Sequence, residues 1–336
     1  MKKKVICITG ASGFIGTALT KYLSKDYDII GIDRRPPPDE LMKFKNYTHY
    51  LKDINHLMIS DLPKAKNPYA VIHLAANPGV RDSHENFEAV CRDNILGTQR
   101  IIDKCISTWK PKKILLASSS SVYGDLGKDG HALEESDGVS PRSPYAMSKV
   151  AGEALVETYK NCGMLDGIET ASMRFFTVYG ENQRLGLAIR AFTDAILRDE
   201  PITLYGTGEQ IRDFTSIDDI CSGIKALLEE EILHWDIYNI GSGNSISINQ
   251  IIQRIGTYLD KSVTINYQPR NRYDVDATRA DITNICDDTC WEPKTDFDDG
   301  LKKQILWQKE QYESVKFGME LKDAAEKLSK TMKGKK

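Results

Sequence analysis

Residues 5–16, "VICITGASGFIG", have the pattern of a strand that runs through a glycine-rich turn into a helix. The stretch begins as a short β-branched run typical of a buried strand, and Gly10, Gly13 and Gly16 follow where that strand would turn into a helix. Glycines at such a turn let a pyrophosphate approach backbone N–H groups and the N-terminus of the helix. The spacing is G-x-x-G-x-x-G rather than the general G-x-G-x-x-G fingerprint, but its position after the first strand predicts a dinucleotide site.

The ends of the next two predicted strands indicate which dinucleotide binds. The run "DIIGID" ends at Asp33, whose carboxylate can accept from a ribose 2′-hydroxyl and repels a 2′-phosphate, which favours NAD. Arg34 and Arg35 follow directly and could instead attract a 2′-phosphate, so NADP stays open. In "LKDI", Asp53 and Ile54 could bind and cover an adenine, or Asp53 caps the helix that follows.

Short β-branched runs alternate with amphipathic stretches through the first half of the chain. This rhythm predicts an α/β fold, a Rossmann-type doubly wound parallel sheet with right-handed crossovers. From about Thr177 the elements shorten and polar residues increase, which predicts a smaller mixed α/β substrate-binding lobe. We therefore expect a NAD-binding domain over 1–176 plus about 211–241, the substrate lobe over about 177–210 and 242–315, and a helical or disordered tail over 316–336.

The composition is that of an ordinary globular protein. With 336 residues, 40% apolar content and a net charge of −3, nothing indicates a nucleic-acid or membrane partner. The start "MKKKVICITG" is too short for a secretory signal, and no stretch is apolar enough to span a bilayer, so we expect a cytoplasmic protein. The seven cysteines are scattered without the paired spacing of a zinc site, so no metal is expected.

The stretch "SPYAMSKVAGEAL", residues 143–155, carries the predicted chemistry. Tyr145 and Lys149 lie four residues apart and so share one face of a helix. The cation favours the phenolate, which lets Tyr145 take a proton from a substrate hydroxyl while hydride leaves the same carbon. The strand "KKILLA" runs into Ser118 to Ser121 at its rim and offers the hydroxyl that such a site needs. An isolated pair of this kind is also common on ordinary surfaces.

Together these features resemble the extended short-chain dehydrogenase/reductases, in particular the NAD-dependent nucleotide-sugar epimerases and dehydratases. The resemblance covers about residues 4–310 and rests on stretches that occur in the family order. These are "GASGFIG", Asp33, "DI" at Asp53, "HLAA" at 73–76, "DNILGT" around Asn94, "SSSSVYG", "SPYAMSK", "RFFTVYG", "LYGTGEQIRDF", "YNIGSG" and "WEPKT".

The resemblance implies roles for the matching residues. Ser119, five residues before the glycine of V-Y-G, is the catalytic hydroxyl, Tyr145 is the base, and Lys149 holds the ribose and tunes Tyr145. Arg212 of "RDF" resembles the diphosphate-binding arginine. The implied cofactor-binding residues are Gly10, Gly13, Phe14, Ile15, Gly16, Asp33, Arg34, Asp53, Ile54, Leu74, Ala75, Ala76, Asn94, Ser118, Tyr145, Lys149 and Phe175. The implied substrate-binding residues are Arg81, Ser119, Ser120, Tyr145, Thr177, Arg184, Tyr205, Arg212, Arg270 and Arg272.

The residues after Ser119 indicate the reaction. By the resemblance, family members first oxidise C4 of the sugar, and the dehydratases place acidic residues directly after the catalytic Ser/Thr. This chain has Ser120 and Ser121, which cannot act as carboxylate acid or base, so the keto intermediate would turn over and take hydride back on its other face. This predicts an isomerase of carbohydrate metabolism, a 4-epimerase that keeps its NAD. An NAD(P)-dependent reductase or dehydratase and a non-catalytic dinucleotide sensor stay open.

The substrate-side residues leave two sugars open. Thr177 replaces the asparagine that many relatives carry after "RFF", and with Arg184 and "GVRDS" at 79–83 it is similar to the UDP-glucuronate 4-epimerases. The segment "LGLAIRAF" lacks their usual Pro-Asp-Met, and Tyr273-Asp274 replaces the family's Gly-Asp beside Arg270 and Arg272. A UDP-hexose and a UDP-hexuronate therefore both stay open. The resemblance also implies a homodimer built on the helix from Pro144 and the one through "NFEAVCRDNILGTQRIIDKC".

Overall fold

The structure, a computed structural model, describes residues 3–57, 67–80, 83–271 and 273–333, with side chains described as far as residue 317. The strands are β1 Val5–Thr9, β2 Asp28–Asp33, β3 Tyr47–Leu51, β4 Ala70–His73, β5 Lys113–Ser119, β6 Glu169–Phe175, β7 Thr177–Tyr179, β8 Ile202–Tyr205, β9 Ile211–Ser216, β10 Ile237–Ile240, β11 Ser245–Ser247 and β12 Ile265–Gln268. The main sheet has seven parallel strands in the order β10-β6-β5-β4-β1-β2-β3. This order confirms the predicted Rossmann-type doubly wound sheet.

Helices cover both faces of this sheet because alternate strand residues point to opposite sides. Ile6 and Ile8 of β1 lie in one buried cluster, whereas Cys7 between them lies in the other. The helices are α1 Phe14–Leu23, α2 Phe87–Val90, α3 Gly97–Lys104, α4 Pro144–Asn161, α5 Ala188–Leu197, α6 Ile217–Glu229, α7 Ile248–Leu259, α8 Thr283–Thr289 and α9 Phe297–Lys333. In the part of the chain described, no helix is long and apolar enough to cross a membrane.

A π-helical turn, Cys91–Leu96, joins α2 to α3, and a second, Cys105–Trp109, extends α3, so that one continuous helical segment runs from Phe87 to Trp109. A π-turn widens the helix locally and is frequent at functional sites. The first of the two turns carries Asp93 and Asn94, both of which are buried.

The chain divides into two compact units: Met1–Val178, Gln210–Ser247 and Asn271–Thr295 form the first, and Tyr179–Glu209, Ile248–Arg270 and Asp296–Lys336 form the second. Residues 242–247 and 271–295, expected in the lobe, belong to the first unit because β11 pairs with β9 and α8 packs against α6 and β10. In the second unit β8 pairs with β12, and α5, α7 and α9 pack together. The assignment of NAD to one domain and substrate to the other stays a prediction.

Candidate active site

The glycine turn after β1 has the geometry that a pyrophosphate requires. Gly10 has a φ of +73°, and a Cβ on Gly16 would lie only 2.1 Å from the Gly10 carbonyl oxygen, so no larger residue fits there. Helix α1 begins at Phe14, and its N-cap, Gly13, provides no side chain to bond the first N–H groups. Those N–H groups and the positive end of the helix dipole, at Phe14 and Ile15, therefore fit phosphate oxygens.

Asp33, at the end of β2, holds this turn from the other side. Its two carboxylate oxygens accept from the backbone N–H groups of Ser12, at 3.0 Å, and Arg35, at 2.9 Å. Its side chain is largely buried, and each carboxylate oxygen can accept a further bond from a ribose hydroxyl. The fixed negative charge disfavours a 2′-phosphate, so the position fits NAD.

The two arginines after Asp33 are already engaged within the protein. Arg34 Nη1 donates to Asp93 Oδ2 at 3.0 Å. Arg35 Nη2 donates to the Ser12 carbonyl at 3.1 Å, and its Nε lies 3.7 Å from Asp33 Oδ1. Both guanidinium groups that could attract a 2′-phosphate therefore have acidic or carbonyl partners.

Asp53 is a cap in this structure. Its Oδ1 accepts from the Asn55 N–H at 2.8 Å, at the start of the 3-10 turn Ile54–His56. Ile54 is buried in the cluster on the α3 side of the sheet. The capping interpretation accounts for Asp53, and the predicted adenine contact of Asp53 and Ile54 stays a prediction.

A chain of buried hydrogen bonds begins at the carboxyl ends of β1 and β4. Ala75 N–H donates to Thr9 Oγ1, Thr9 Oγ1 lies 2.6 Å from His73 Nδ1, and His73 Nε2 lies 3.1 Å from Thr98 Oγ1. Thr98 in turn donates to the Asn94 carbonyl. Burial, and then the charge of Lys149, lower the pKa of His73 to about 3, so the imidazole is neutral and can donate through one nitrogen only.

The side chain of Asn94 extends this chain of hydrogen bonds to α4. Its Oδ1 accepts from the Asn77 N–H at 2.6 Å, while its Nδ2 donates to the Asn77 carbonyl and to Ser148 Oγ. Ser148 Oγ donates to the Tyr145 carbonyl at 2.7 Å. Asn94 thus ties the loop after β4 to the first turn of α4. The predicted cofactor residues Leu74, Ala75 and Ala76 lie in this loop, half-buried.

The serine run after β5 divides into two kinds of position. Ser118 is buried and its hydroxyl donates to Glu153 Oε1 on α4. Ser119 ends the strand half-buried, and its Oγ accepts from the Ser121 N–H at 3.2 Å. Ser120 and Ser121 begin a 3-10 turn, and within the described chain the buried Ser121 hydroxyl has no hydrogen-bond partner. The predicted catalytic position, Ser119, is therefore the hydroxyl at the strand end rather than the one in the core.

Helix α4 places Tyr145 and Lys149 on one face. Ser143 caps the helix by accepting from the Ala146 N–H, and Pro144 occupies its first turn. Lys149 Nζ donates to the Ala117 carbonyl at 2.8 Å and lies 5.8 Å from the centre of the Tyr145 ring. Burial lowers the pKa of Lys149 to about 8, against a rise caused by Glu153, so its ammonium is mainly charged at neutral pH. A buried cation at this distance stabilises a phenolate.

Glu153, one turn further along α4, forms a buried ion pair that sequence reasoning missed. Arg174 of β6 donates from Nε and Nη2 to the two oxygens of Glu153, at 3.0 and 2.8 Å. Burial alone would lower the pKa of Arg174, but the Glu153 carboxylate holds it above its ordinary value. With the bond from Ser118, this pair joins β5, β6 and α4 directly behind Lys149. The i,i+4 spacing of Lys149 and Glu153 was the sequence signal that could have indicated a carboxylate on the same helix face as the lysine.

The predicted substrate residues are spread over both units. Arg212, in the first, donates to Asp274 Oδ1 at 2.6 Å and to the Val275 carbonyl at 2.7 Å. Thr177 is half-buried at the start of β7, whereas Phe175, predicted to bind the cofactor, ends β6 in the core. The three predicted residues of the second unit are Arg184 and Arg270, which are exposed, and Tyr205, which is half-buried. Arg81 and Arg272 lie outside the described residues.

The NAD dependent epimerase/dehydratase family matches residues 6–241 of the chain, which include the glycine turn, Ser119, Tyr145 and Lys149. This chain belongs to that family. The UDP-glucuronate 4-epimerase of Thermodesulfobacterium geofontis is 36% identical over 322 residues, covering 92% of this chain and 97% of that protein. The predicted family is confirmed, and because the family is NAD-dependent, so is the prediction of NAD as cofactor.

Two solved structures share the fold over nearly the whole chain. MoeE5 in complex with UDP-glucuronic acid and NAD is 32% identical with a TM-score of 0.85, covering 91% of this chain and 99% of that one. The UDP-glucuronic acid 4-epimerase from Bacillus cereus, in complex with UDP-glucuronic acid and NAD, is 32% identical with a TM-score of 0.83, covering 92% and 100%.

Proposed function

We propose that this chain is an NAD-dependent nucleotide-sugar 4-epimerase whose substrate is a UDP-hexuronate. One observation carries the reaction type: Ser119 and the Tyr145–Lys149 pair supply a hydroxyl, a base and a buried cation, while hydroxyls rather than carboxylates occupy 120 and 121. A dehydratase needs an acid and a base for water removal directly after the catalytic hydroxyl, and this chain has neither there.

Each side chain then has a defined part in the reaction. Tyr145 accepts the proton of the C4 hydroxyl, because the Lys149 ammonium lowers the cost of the phenolate. Ser119 donates a hydrogen bond to the C4 oxygen and holds it at the end of β5. NAD, which the glycine turn and Asp33 would hold, would supply the hydride acceptor for C4 and the hydride that returns, so no outside reductant would be needed. Tyr145 gives its proton back to the C4 oxygen as the hydroxyl on the other face of C4 forms.

The uronate rests on charge and on the relatives. A C6 carboxylate requires hydroxyl and cationic donors, and the sequence-predicted residues Thr177, which is half-buried, and Arg184, which is exposed, are of these chemical types. Holding that carboxylate would also keep a 4-keto uronate from losing carbon dioxide. The relatives named above act on or bind UDP-glucuronic acid. UDP-glucose is the alternative substrate.

A substrate comparison tests this proposal. We expect wild-type protein to interconvert UDP-glucuronate and UDP-galacturonate without added NAD. Arg184→Ala should lower kcat/KM for UDP-glucuronate roughly thirtyfold, a loss of about 2 kcal/mol of transition-state stabilisation. The loss of kcat/KM for UDP-glucose should be much smaller. Arg198→Ala, at an exposed arginine at the end of α5, is the matched control and should change neither value. Equal losses on both sugars, or a wild type inactive on the uronate, would leave a UDP-hexose 4-epimerase.

We also propose that the protein works in the cytoplasm as a homodimer paired through α4 and the segment from α2 to α3. Phe87 and Leu96 of that segment are about half exposed, which leaves apolar surface for a second copy to cover. Light scattering on the purified protein should give twice the chain mass. Phe87→Glu and Leu96→Glu together should convert it to a monomer.

A further inference from the structure

Two arginines directly after Asp33 bear on the choice between NAD and NADP. Sites that accept a 2′-phosphate place an arginine near the end of the second strand, and this chain has two there, Arg34 and Arg35. Their positive charges run against the NAD preference that Asp33 sets. What each guanidinium contacts therefore decides how selective the site is.

Arg34 is held by a carboxylate that lies far from it in sequence. Its Nη1 donates to Oδ2 of Asp93, which sits in the π-helical turn after α2. Asp93 is only 7% exposed at its side chain, and it also accepts from Arg92 Nε at 3.0 Å and Asn55 Nδ2 at 3.2 Å. Asn55 is fixed in turn by Arg100. A buried carboxylate bound by several donors has one well-defined position, so it holds Arg34 in a well-defined place.

We propose that Asp93 is a cofactor-specificity residue that acts through Arg34. By pairing with Arg34 it takes that guanidinium away from the ribose that Asp33 binds and cancels its charge, so the site gains no attraction for a 2′-phosphate. Asp93 is thus a positioning residue: Asp33 repels the phosphate directly, and Asp93 withholds the cation that would bind it. The proposal rests on the cofactor and is independent of which sugar the enzyme turns over.

Competition between the two dinucleotides tests it. Wild type, Asp93→Asn, Arg34→Ala and the double variant are each stripped of the dinucleotide carried through purification and incubated with equimolar NAD and NADP. They are then freed of unbound ligand and denatured, and the released cofactors are quantified. Asp93→Asn should raise the bound NADP:NAD ratio roughly fivefold, the size expected of one half-exposed ion pair with a phosphate. In the Arg34→Ala background the same substitution should leave the ratio unchanged. Arg92→Ala, which removes another partner of Asp93 but leaves Arg34 paired, should match wild type.

An unchanged ratio in Asp93→Asn, or an equal rise in the double variant, would overturn the proposal, because a merely structural role for Asp93 does not require Arg34. A second comparison needs no change at Asp93. In an Asp33→Asn background, which lets NADP bind measurably, removing Arg34 should not alter the NADP:NAD ratio if Asp93 holds that arginine. A clear fall in the NADP share on Arg34→Ala in that background would show that Arg34 already serves the phosphate, and would overturn the proposal.

Discussion

Two arginine–carboxylate pairs in the first unit have similar chemistry but different surroundings. Arg174 and Glu153 are 3% and 8% exposed at their side chains, whereas Arg212 and Asp274 are 12% and 28% exposed. Removing one partner from a buried pair leaves a charge without solvent, but a pair that keeps some solvent can open at small cost. The first pair therefore suits a permanent support of α4, the helix that carries Tyr145 and Lys149. The second suits an arginine that exchanges its carboxylate for another anion, such as the diphosphate predicted from sequence.

The largest effect is expected at Tyr145, on the helix that the Arg174–Glu153 pair supports. Tyr145→Phe removes only the phenol oxygen, so the protein should fold and retain NAD, yet epimerisation should slow by about a thousandfold because the proton acceptor is lost. Steady-state kinetics and the NAD content of the purified protein are the measurements. The control is Tyr159→Phe, at a tyrosine on the same helix as Tyr145, which removes a hydroxyl that donates to Asp103 of α3 and should keep near-normal turnover. Near-normal turnover by Tyr145→Phe would exclude this assignment.

The second-largest effect is expected at the buried Arg174–Glu153 pair itself. Glu153→Gln leaves the Arg174 guanidinium in the core without a counter-charge and should lower the free energy of unfolding by about 3 kcal/mol. Urea unfolding measures the change. The control lies on the same helix: Lys160→Gln breaks the pair with Asp236, which is more than half exposed, and should cost less than about 1 kcal/mol. Losses of similar size at the two positions would mean that burial does not distinguish these ion pairs.

The buried ammonium of Lys149 predicts how the stability of the protein depends on pH. The pKa of Lys149 falls from 10.5 to about 8 on folding, chiefly by burial. Between these values the unfolded chain binds more protons than the folded one, so stability should rise with pH, by at most about 1.4 kcal/mol per unit. Cofactor-free wild type should show this rise between about pH 8 and 10.5. Lys149→Met should lack it, and parallel curves for the two proteins would contradict the shifted pKa.

The residues that sequence reasoning located are those fixed by the local chain. Gly10 follows β1, and Asp33 and Ser119 are the last residues of β2 and β5. The carboxyl ends of parallel strands meet at one edge of the sheet, so these positions follow from the strand pattern. The same reasoning accounts for Tyr145 and Lys149, because helical spacing alone puts them on one face.

The partners that sequence reasoning missed depend on the order of the strands and on the packing of the helices. Arg34 and Asp93 are 59 residues apart, and Arg174 and Glu153 are 21 apart. No local pattern pairs them; each contact exists because the sheet order brings two distant segments together. Asp53 shows the opposite case, since a short-range cap accounts for a residue that was also assigned to the adenine.

The smallest effect is expected at the Arg212–Asp274 pair. Asp274→Asn removes the counter-charge of Arg212 but leaves the carbonyls of Ile211 and Val275 as acceptors, and the guanidinium keeps contact with solvent. The free energy of unfolding should therefore fall by less than about 1 kcal/mol. Raising the salt concentration should shrink this loss, because screening weakens the wild-type pair as well. A loss near that of Glu153→Gln, insensitive to salt, would make Arg212–Asp274 a second fixed support and would count against Arg212 as the residue that releases its carboxylate for the substrate diphosphate.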